Sequence, residues 1–350
     1  MGALTASPHS GQASLGIRKP GTATHDRHPA GGRVERFDGV DHRRYRRAVN
    51  LPMVSRACPV CGSDSQYRVF KEAAFDSSRW GRFAFSSRKT PEYEHYRLLE
   101  CERCDLLYAN PLPTRESLDA AYREAAFDSA TEAGHASDVY AELLPDIVGH
   151  LPRCEAALDI GTGDGAFLHH LQRAGFGRVV GVEPSRAPVE AAHPAVRGLI
   201  QQQPFRPSDF EPGSFSLITC FQTLEHVYDP LALCRGAFDL LHPGGAVLLV
   251  CHDRRAFSAR LMGTRSPIFD IEHLQLFSRD SLSYALRETG YGGISTHPIV
   301  NRYPLSYWVK LVPLPPRAKA AALGALDASG LGRVPLRISA GNFAAVGYKR

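Results

Sequence analysis

Asp159 is followed by glycines at 161, 163 and 165, an acid and an alternating glycine turn closing the apolar run Ala156, Ala157, Leu158. Glycines at that spacing let a backbone approach a ligand with no Cβ in the way. The helix expected next, with Phe167, Leu168 and Leu171 on one face and Gly175 as its stop, offers unpaired N–H groups at its start. The unit reads as strand, turn, helix, suited to a nucleoside; a glycine-rich turn with no ligand is the competing reading. About twenty residues after the glycines a second β-branched run ends on Glu183, where an acid accepts hydrogen bonds from both hydroxyls of a ribose. Two histidines offer proton transfer. His226 follows Glu225 after the apolar run 215–220, and His273 lies in the segment before Ser278. A histidine can take a proton from a hydroxyl near neutral pH, with a rate rising through about pH 6.5. Each also has a structural reading, His226 as part of a Glu-His pair that organises its loop and His273 as a loop histidine bonded to backbone. Cys58 with Cys61, and Cys101 with Cys104, form two CxxC pairs that together can surround one tetrahedral metal, with zinc the expected ion and a redox pair the alternative. Four thiolates leave no open position, so this metal would be structural.

These groups need a frame to hold them. Residues 156–160, 179–183, 215–220 and 246–250 read as buried strands, with residues 196–203 as a weaker one. Taken in order, Asp159 with Gly161, Gly163 and Gly165, then Glu183, then the run 215–220 with Glu225-His226, then His242-Pro243-Gly244-Gly245, resemble the motifs of class I S-adenosylmethionine (SAM) dependent methyltransferases. The resemblance implies an α/β fold, a doubly wound Rossmann-like seven-stranded sheet, and SAM as cofactor. It places cofactor contacts at Asp159, Gly161, Thr162, Gly163, Asp164, Gly165, Glu183 and Pro184, and at Phe221 and Gln222 beyond the fourth strand. The family often holds the adenine amino group with an acid after the third strand; here Gln201-Gln202-Gln203 has none, so an amide of Gln202 or Gln203, or a backbone carbonyl, is the expected substitute, with Gln203 the residue chosen. It places His226 and His273 on the acceptor side as catalytic candidates. The two cysteine pairs, followed by Tyr108-Ala109-Asn110-Pro111, are similar to the N-terminal zinc ribbon of a bacterial small-molecule subgroup.

The rest of the chain sets boundaries. At 350 residues and 43% hydrophobic it is long enough for two folded units. The division expected is a disordered basic tail over 1–52, a zinc ribbon over 53–112, a helical lid over 113–152 with helices after Thr114 and over 137–150, and the methyltransferase domain over 153–350 with an insertion at about 303–335. Met53 is an alternative natural start. The net charge of +5 resides in residues 1–50, with nine Lys or Arg against four Asp or Glu, which leaves 32 against 32 elsewhere. A neutral folded part argues against nucleic acid. The Leu/Ala-rich insertion lacks the dense cations of a membrane-surface helix, and no apolar run reaches the about 20 residues of a span. Eight cysteines, four of them paired as CxxC, suit a reducing compartment, so a cytoplasmic protein is expected. The function implied is O-methylation of a small metabolite, glycan or natural-product intermediate. C-methylation of a sugar and N-methylation of RNA are the enzymatic alternatives, and a non-catalytic SAM-binding scaffold is the alternative of another class.

Overall fold

The computed structural model describes residues 52–75, 93–123, 125, 127, 130–312 and 314–350, and all of these fall in one unit, Tyr45–Arg350. Residues 1–51 of the expected tail, and residues 76–92 between the cysteine pairs, lie outside the described residues. The N-terminal part contains β1 (Met53–Val54), β2 (Tyr67–Lys71), β3 (Leu98–Cys101), β4 (Leu107–Ala109) and β5 (Leu112–Pro113). β2, β3 and β4 form an antiparallel meander whose two CxxC turns lie at one end, and β1 pairs with β5. Three helices follow: α1 (Arg115–Arg123), α2 (Ala130–Ala141) and α3 (Leu144–His150). The single helix expected over 137–150 is two, because Pro145 has no N–H to continue the ladder and instead occupies the first turn of α3.

Then comes the larger sheet. It is built from β6 (Ala156–Ile160), α4 (Leu168–Arg173), β7 (Arg178–Val182), α5 (Arg186–Ala191), α6 (Pro194–Arg197), β8 (Ile200–Gln201), β9 (Phe215–Phe221), α7 (Pro230–Leu240), β10 (Leu241–His252), α8 (Phe257–Met262), β11 (Gln275–Leu276), α9 (Arg279–Glu288), β12 (Gly292–Pro304), α10 (Leu305–Leu311), α11 (Pro316–Ser329) and β13 (Pro335–Tyr348). Seven strands are ordered β12-β13-β10-β9-β6-β7-β8, parallel from β10 to β8, with β13 antiparallel to both its neighbours. Strand direction of travel reverses on either side of β6, which opens a crevice at the carboxyl ends of β6 and β9. The third strand of the βα series, expected over 196–203, shrinks to the two residues of β8.

Why these strands are nearly all apolar follows from the layers. Leu158, Ile218 and Leu249 point into one core with α7 and α9, while Ala157, Leu217 and Leu248 point into the other with α2, α3 and α4. A sheet covered on both faces leaves no polar side to alternate with. The first core continues into the ribbon through Cys58, Leu99 and Leu106, which share it with Phe277 and Leu282. β11, which comes from the segment carrying His273, pairs with β4, so the ribbon sheet takes its edge strand from the far part of the chain. α10 and α11 lie in the chain between β12 and β13, and α11 has no buried residue. No helix among the described residues is long and apolar enough to cross a membrane.

Candidate functional site

The glycine turn and Glu183 meet at the mouth of the crevice. Gly161, Gly163 and Gly165 all have positive φ, at 72°, 57° and 75°. Their surroundings differ. A Cβ on Gly161 would collide with the Thr223 side chain, and one on Gly165 would press on Ile200, Leu168 and Val196, whereas one on Gly163 meets nothing within 4 Å. Gly163 therefore faces open space, the position at which a ligand can lie on bare backbone. Glu183 closes the turn: its Oε2 accepts the Gly163 N–H at 3.0 Å and its Oε1 the Ser185 N–H at 2.8 Å. Burial raises its pKa against these bonds. Asp159 is 2% exposed and pushed up to about 6 by burial, while Thr219 donates to its Oδ1 at 2.6 Å.

The cavity beyond has a volume of about 970 Å³ and runs from the glycine turn to the histidines. Asp159, Gly161, Thr162, Gly163, Asp164, Glu183, Pro184, Phe221, Gln222, His226 and His273 all line it. Two expected residues are not brought there. Gln203 bonds instead to Gln201 at 3.1 Å and Asp209 at 3.2 Å, because the turn at 207–209 folds back on it; Phe205 and Pro207 take that side of the wall. Gly165 is not among the lining residues and lets α4 pack closely on β8 and α6.

On the opposite side three histidines cluster. His226 and His273 have ring centroids 4.8 Å apart, and His273 and His252 5.2 Å. In each the Nδ1–H has an oxygen to donate to: the Glu272 carbonyl at 3.1 Å for His226, the Ile268 carbonyl at 2.8 Å for His273, and Asn342 Oδ1 at 2.7 Å for His252. A carbonyl only accepts, which fixes that tautomer and leaves Nε2 as the proton-accepting atom. Tyr122 adds its hydroxyl, donating to the Glu272 carbonyl at 3.1 Å. Burial lowers the His226 pKa to about 4, opposed by the Glu272 carbonyl, and burial together with His226 and His252 sets His273 well below the ordinary value. The expected titration near 6.5 is thus displaced, since these rings are desolvated and face one another. Glu225, beside His226, does the loop's structural work: its Oε1 accepts the His252 N–H at 2.7 Å and its carbonyl the Leu274 N–H at 2.9 Å.

Sequence reasoning passed over His252, Tyr140 and Asn301. Tyr140 Oη and Asn301 Oδ1 are buried with no hydrogen-bond partner, and both residues line the cavity. Buried polar atoms are nearly always paired, so a donor and an acceptor left open there suit a polar ligand. Nothing local marks them; Tyr140 sits at helical core spacing and Asn301 in a strand. Asp229 caps α7, accepting the Ala232 N–H at 2.9 Å. The four cysteines of the two CxxC pairs come together with their Sγ atoms within 4.8 Å of one another, at 3.5 Å for Cys58 and Cys104 and 3.4 Å for Cys61 and Cys101. A tetrahedral zinc with bonds of about 2.3 Å requires S···S edges of about 3.8 Å, so the cluster fits one. The Cys104 thiol holds Cys58 down to about 5, and burial lifts Cys61 to about 11.

With this geometry in place, comparison with known proteins gives a matching family: the sequence pattern of the methyltransferase domain fits residues 133–296. Residues 133–296 carry a methyltransferase domain. Among curated relatives, the ubiquinone biosynthesis O-methyltransferase of Neisseria meningitidis serogroup A is 32% identical over 129 residues, covering 35% of this chain and 54% of that protein. The one from Vibrio cholerae is 26% identical over 166 residues, covering 42% and 67%. The chain thus spans about half the length of the first of these relatives. Among solved structures, a SAM-dependent methyltransferase of Thermotoga maritima, described as a possible histamine N-methyltransferase, aligns with TM-score 0.41 at 20% identity over 62% of this chain and 91% of that one. The geranyl diphosphate C-methyltransferase of Streptomyces coelicolor aligns with TM-score 0.38 at 17% identity over 61% and 79%. The match to the methyltransferase domain includes the glycine turn, Glu183 and all three histidines, and leaves the ribbon and the α10 to α11 insertion outside it.

Proposed function

We propose that the protein transfers the methyl group of SAM to a hydroxyl oxygen of a small molecule, and that its ribbon holds one structural zinc. One observation carries the reading: a single cavity has a bare glycine backbone and a backbone-bonded carboxylate at one end and three Nδ1-anchored histidines at the other. Its volume, about 970 Å³, is at the upper end of ligand pockets and sized for a donor and an acceptor together. Bound there, SAM supplies an electrophilic methyl on a sulfonium. Glu183 holds the ribose, the turn from Asp159 to Asp164 receives the rest of the nucleoside side, and Phe221 with Gln222 covers it. Alignment of the acceptor behind the methyl supplies most of the acceleration. His226 takes the acceptor's proton at Nε2 while its Nδ1–H stays on the Glu272 carbonyl, which orients the ring; His273, deeper on the second loop, is the other candidate. The names of the curated relatives support oxygen as the nucleophile. In the ribbon, Cys58, Cys61, Cys101 and Cys104 would hold the zinc with no open position.

The test is incubation of the purified chain with methyl-labelled SAM and separate metabolite, glycan and RNA fractions, followed by mass analysis. Label in a small molecule, on oxygen, is expected. Label on a sugar carbon or in RNA would replace the proposed acceptor, and SAM binding without label in any fraction would indicate a scaffold.

A further inference from the structure

One side chain ties the ribbon to the histidine loops. Arg56 lies just before the first CxxC pair, and its guanidinium reaches four neutral oxygens. Nε donates to the Ala109 carbonyl at 3.3 Å, Nη1 to the Tyr228 carbonyl at 3.0 Å, and Nη2 to the Leu274 carbonyl at 2.9 Å and to Gln275 Oε1 at 3.0 Å. Ala109 ends ribbon strand β4, Tyr228 is on the loop of His226, and Leu274 directly follows His273. Gln275, fully buried, extends the connection: its Nε2 donates to the Leu224 carbonyl at 2.7 Å and the Val227 carbonyl at 2.9 Å, on either side of His226. These bonds leave the loops of His226 and His273 tied to each other and to the ribbon through the same planar fork.

We propose that Arg56 is a positioning residue of the acceptor site, pinning both histidine loops to the ribbon and so setting where the two Nε2 atoms stand in the cavity. The proposal rests on the reading of those loops as the acceptor wall. Arginine suits the task because its donors leave a rigid plane in fixed directions, whereas lysine offers a compact charge on a flexible stem and cannot span oxygens on three segments at once. Burial brings its pKa down to about 10, so it is still a cation at neutral pH. The cation is hydrogen-bonded to amide and peptide oxygens and lies 6.0 Å from the ring centroids of Tyr108 and Tyr228, with no carboxylate among its hydrogen-bond partners, so its contribution here is chiefly geometric. The third histidine is anchored similarly. Arg254, which follows His252 by two residues, donates through Nε to the Asp105 carbonyl at 2.8 Å and through Nη2 to Glu100 Oε1 at 2.7 Å, both on the ribbon.

The test compares the full-length parent with Arg56→Gln and Arg56→Lys, using readouts that need no acceptor. These are amide hydrogen exchange, NMR titration of the His226 ring, calorimetric SAM affinity and bound metal. The groups facing His226 are Tyr122 on α1, His252, His273 and the backbones of Glu272 and Gln222, all of which the variants retain. In Arg56→Gln, exchange over 223–229 and 268–276 should rise at least about tenfold, the loss expected when the loops give up several hydrogen bonds. The His226 titration should move up toward the ordinary histidine value, with SAM affinity within about twofold of the parent. Arg56→Lys should fall between. Arg68→Gln, which removes an exposed ion-pair partner of Glu100, should change none of these. Unchanged loop exchange and an unchanged His226 titration would overturn the proposal, as would equal loss of protection over 98–109 with release of metal, which would make Arg56 a fold residue only. If Arg56→Gln does not fold, the same outcomes in Arg56→Lys decide. Failure of methyl transfer in the parent would not alter these readouts, so the two readings fail separately.

Discussion

Replacing Glu183 by Gln isolates the carboxylate from the shape of the side chain. The group is 8% exposed, and its two oxygens receive the backbone N–H groups of Gly163 and Ser185 at 3.0 and 2.8 Å. A carboxylate has about four acceptor sites; with two taken by backbone donors that cannot rotate away, two remain for the two ribose hydroxyls. Gln offers one oxygen. Whichever way its amide turns, an NH₂ faces one of the backbone donors, and the single oxygen can serve at most one hydroxyl. Losing one charge-assisted bond costs about 1.5–3 kcal/mol, or roughly 10- to 150-fold in SAM affinity. The orphaned backbone donor should separately lower thermal stability. Calorimetric titration with SAM at pH 7.5 reads the first effect. Because burial raises the Glu183 pKa, the parent's affinity should also fall on acidification at a higher pH than an exposed glutamate would give. A folded Glu183→Gln variant with affinity within about threefold of the parent would refute the reasoning.

The other expectations concern the histidine, the glycines and the metal. With the acceptor found by the labelling experiment, His226→Gln should lower kcat by about 10² to 10⁴ with SAM affinity unchanged. The parent's rate should be flat from about pH 6 to 8 and fall only as pH drops toward about 4, because the lowered pKa keeps the base neutral. Folding stability should decline over the same acid range, starting below the unfolded-state value near 6.5, since the buried ring resists the proton that the unfolded chain accepts. A rate rising through pH 6.5 would contradict both. Gly161→Ala should chiefly lower the melting temperature, through its clash with Thr223, and Gly163→Ala should chiefly weaken SAM binding, since its methyl enters open cavity at positive φ. The reverse pattern in paired melting and calorimetric measurements would contradict the assignment. Elemental analysis should find one zinc per chain, lost in Cys101→Ser, with SAM affinity retained because the glycine turn lies away from the ribbon; protein purified without chelator and free of metal would contradict the first part.

What could be read in advance was what is local. The glycine turn, the acid that closes its strand at Glu183 and each CxxC pair are short motifs, every one written within a few residues, because backbone conformation and residue type decide them. The doubly wound seven-stranded sheet followed from the resemblance, with its strands legible as apolar runs because both faces are covered. Misplaced expectations depended on how loops fold back and pack. Gln203 has an amide of the right kind in a plausible position, yet Asp209 claims it. The histidine pKa values depend on packing between residues 122, 226, 252, 272 and 273, which no window of sequence joins. Arg56 looks like an ordinary charge before a cysteine, and its role appears only once β11 joins the ribbon sheet and brings Leu274 and Gln275 beside it.

The most direct measurement of the central claim is equilibrium titration of the purified full-length chain with SAM, repeated with S-adenosylhomocysteine as competitor. One SAM site per chain, displaced by the competitor and weakened at least about tenfold in Glu183→Gln, is the result the account predicts. No detectable binding to a folded parent, or binding that Glu183→Gln and Gly163→Ala both leave intact, would contradict it.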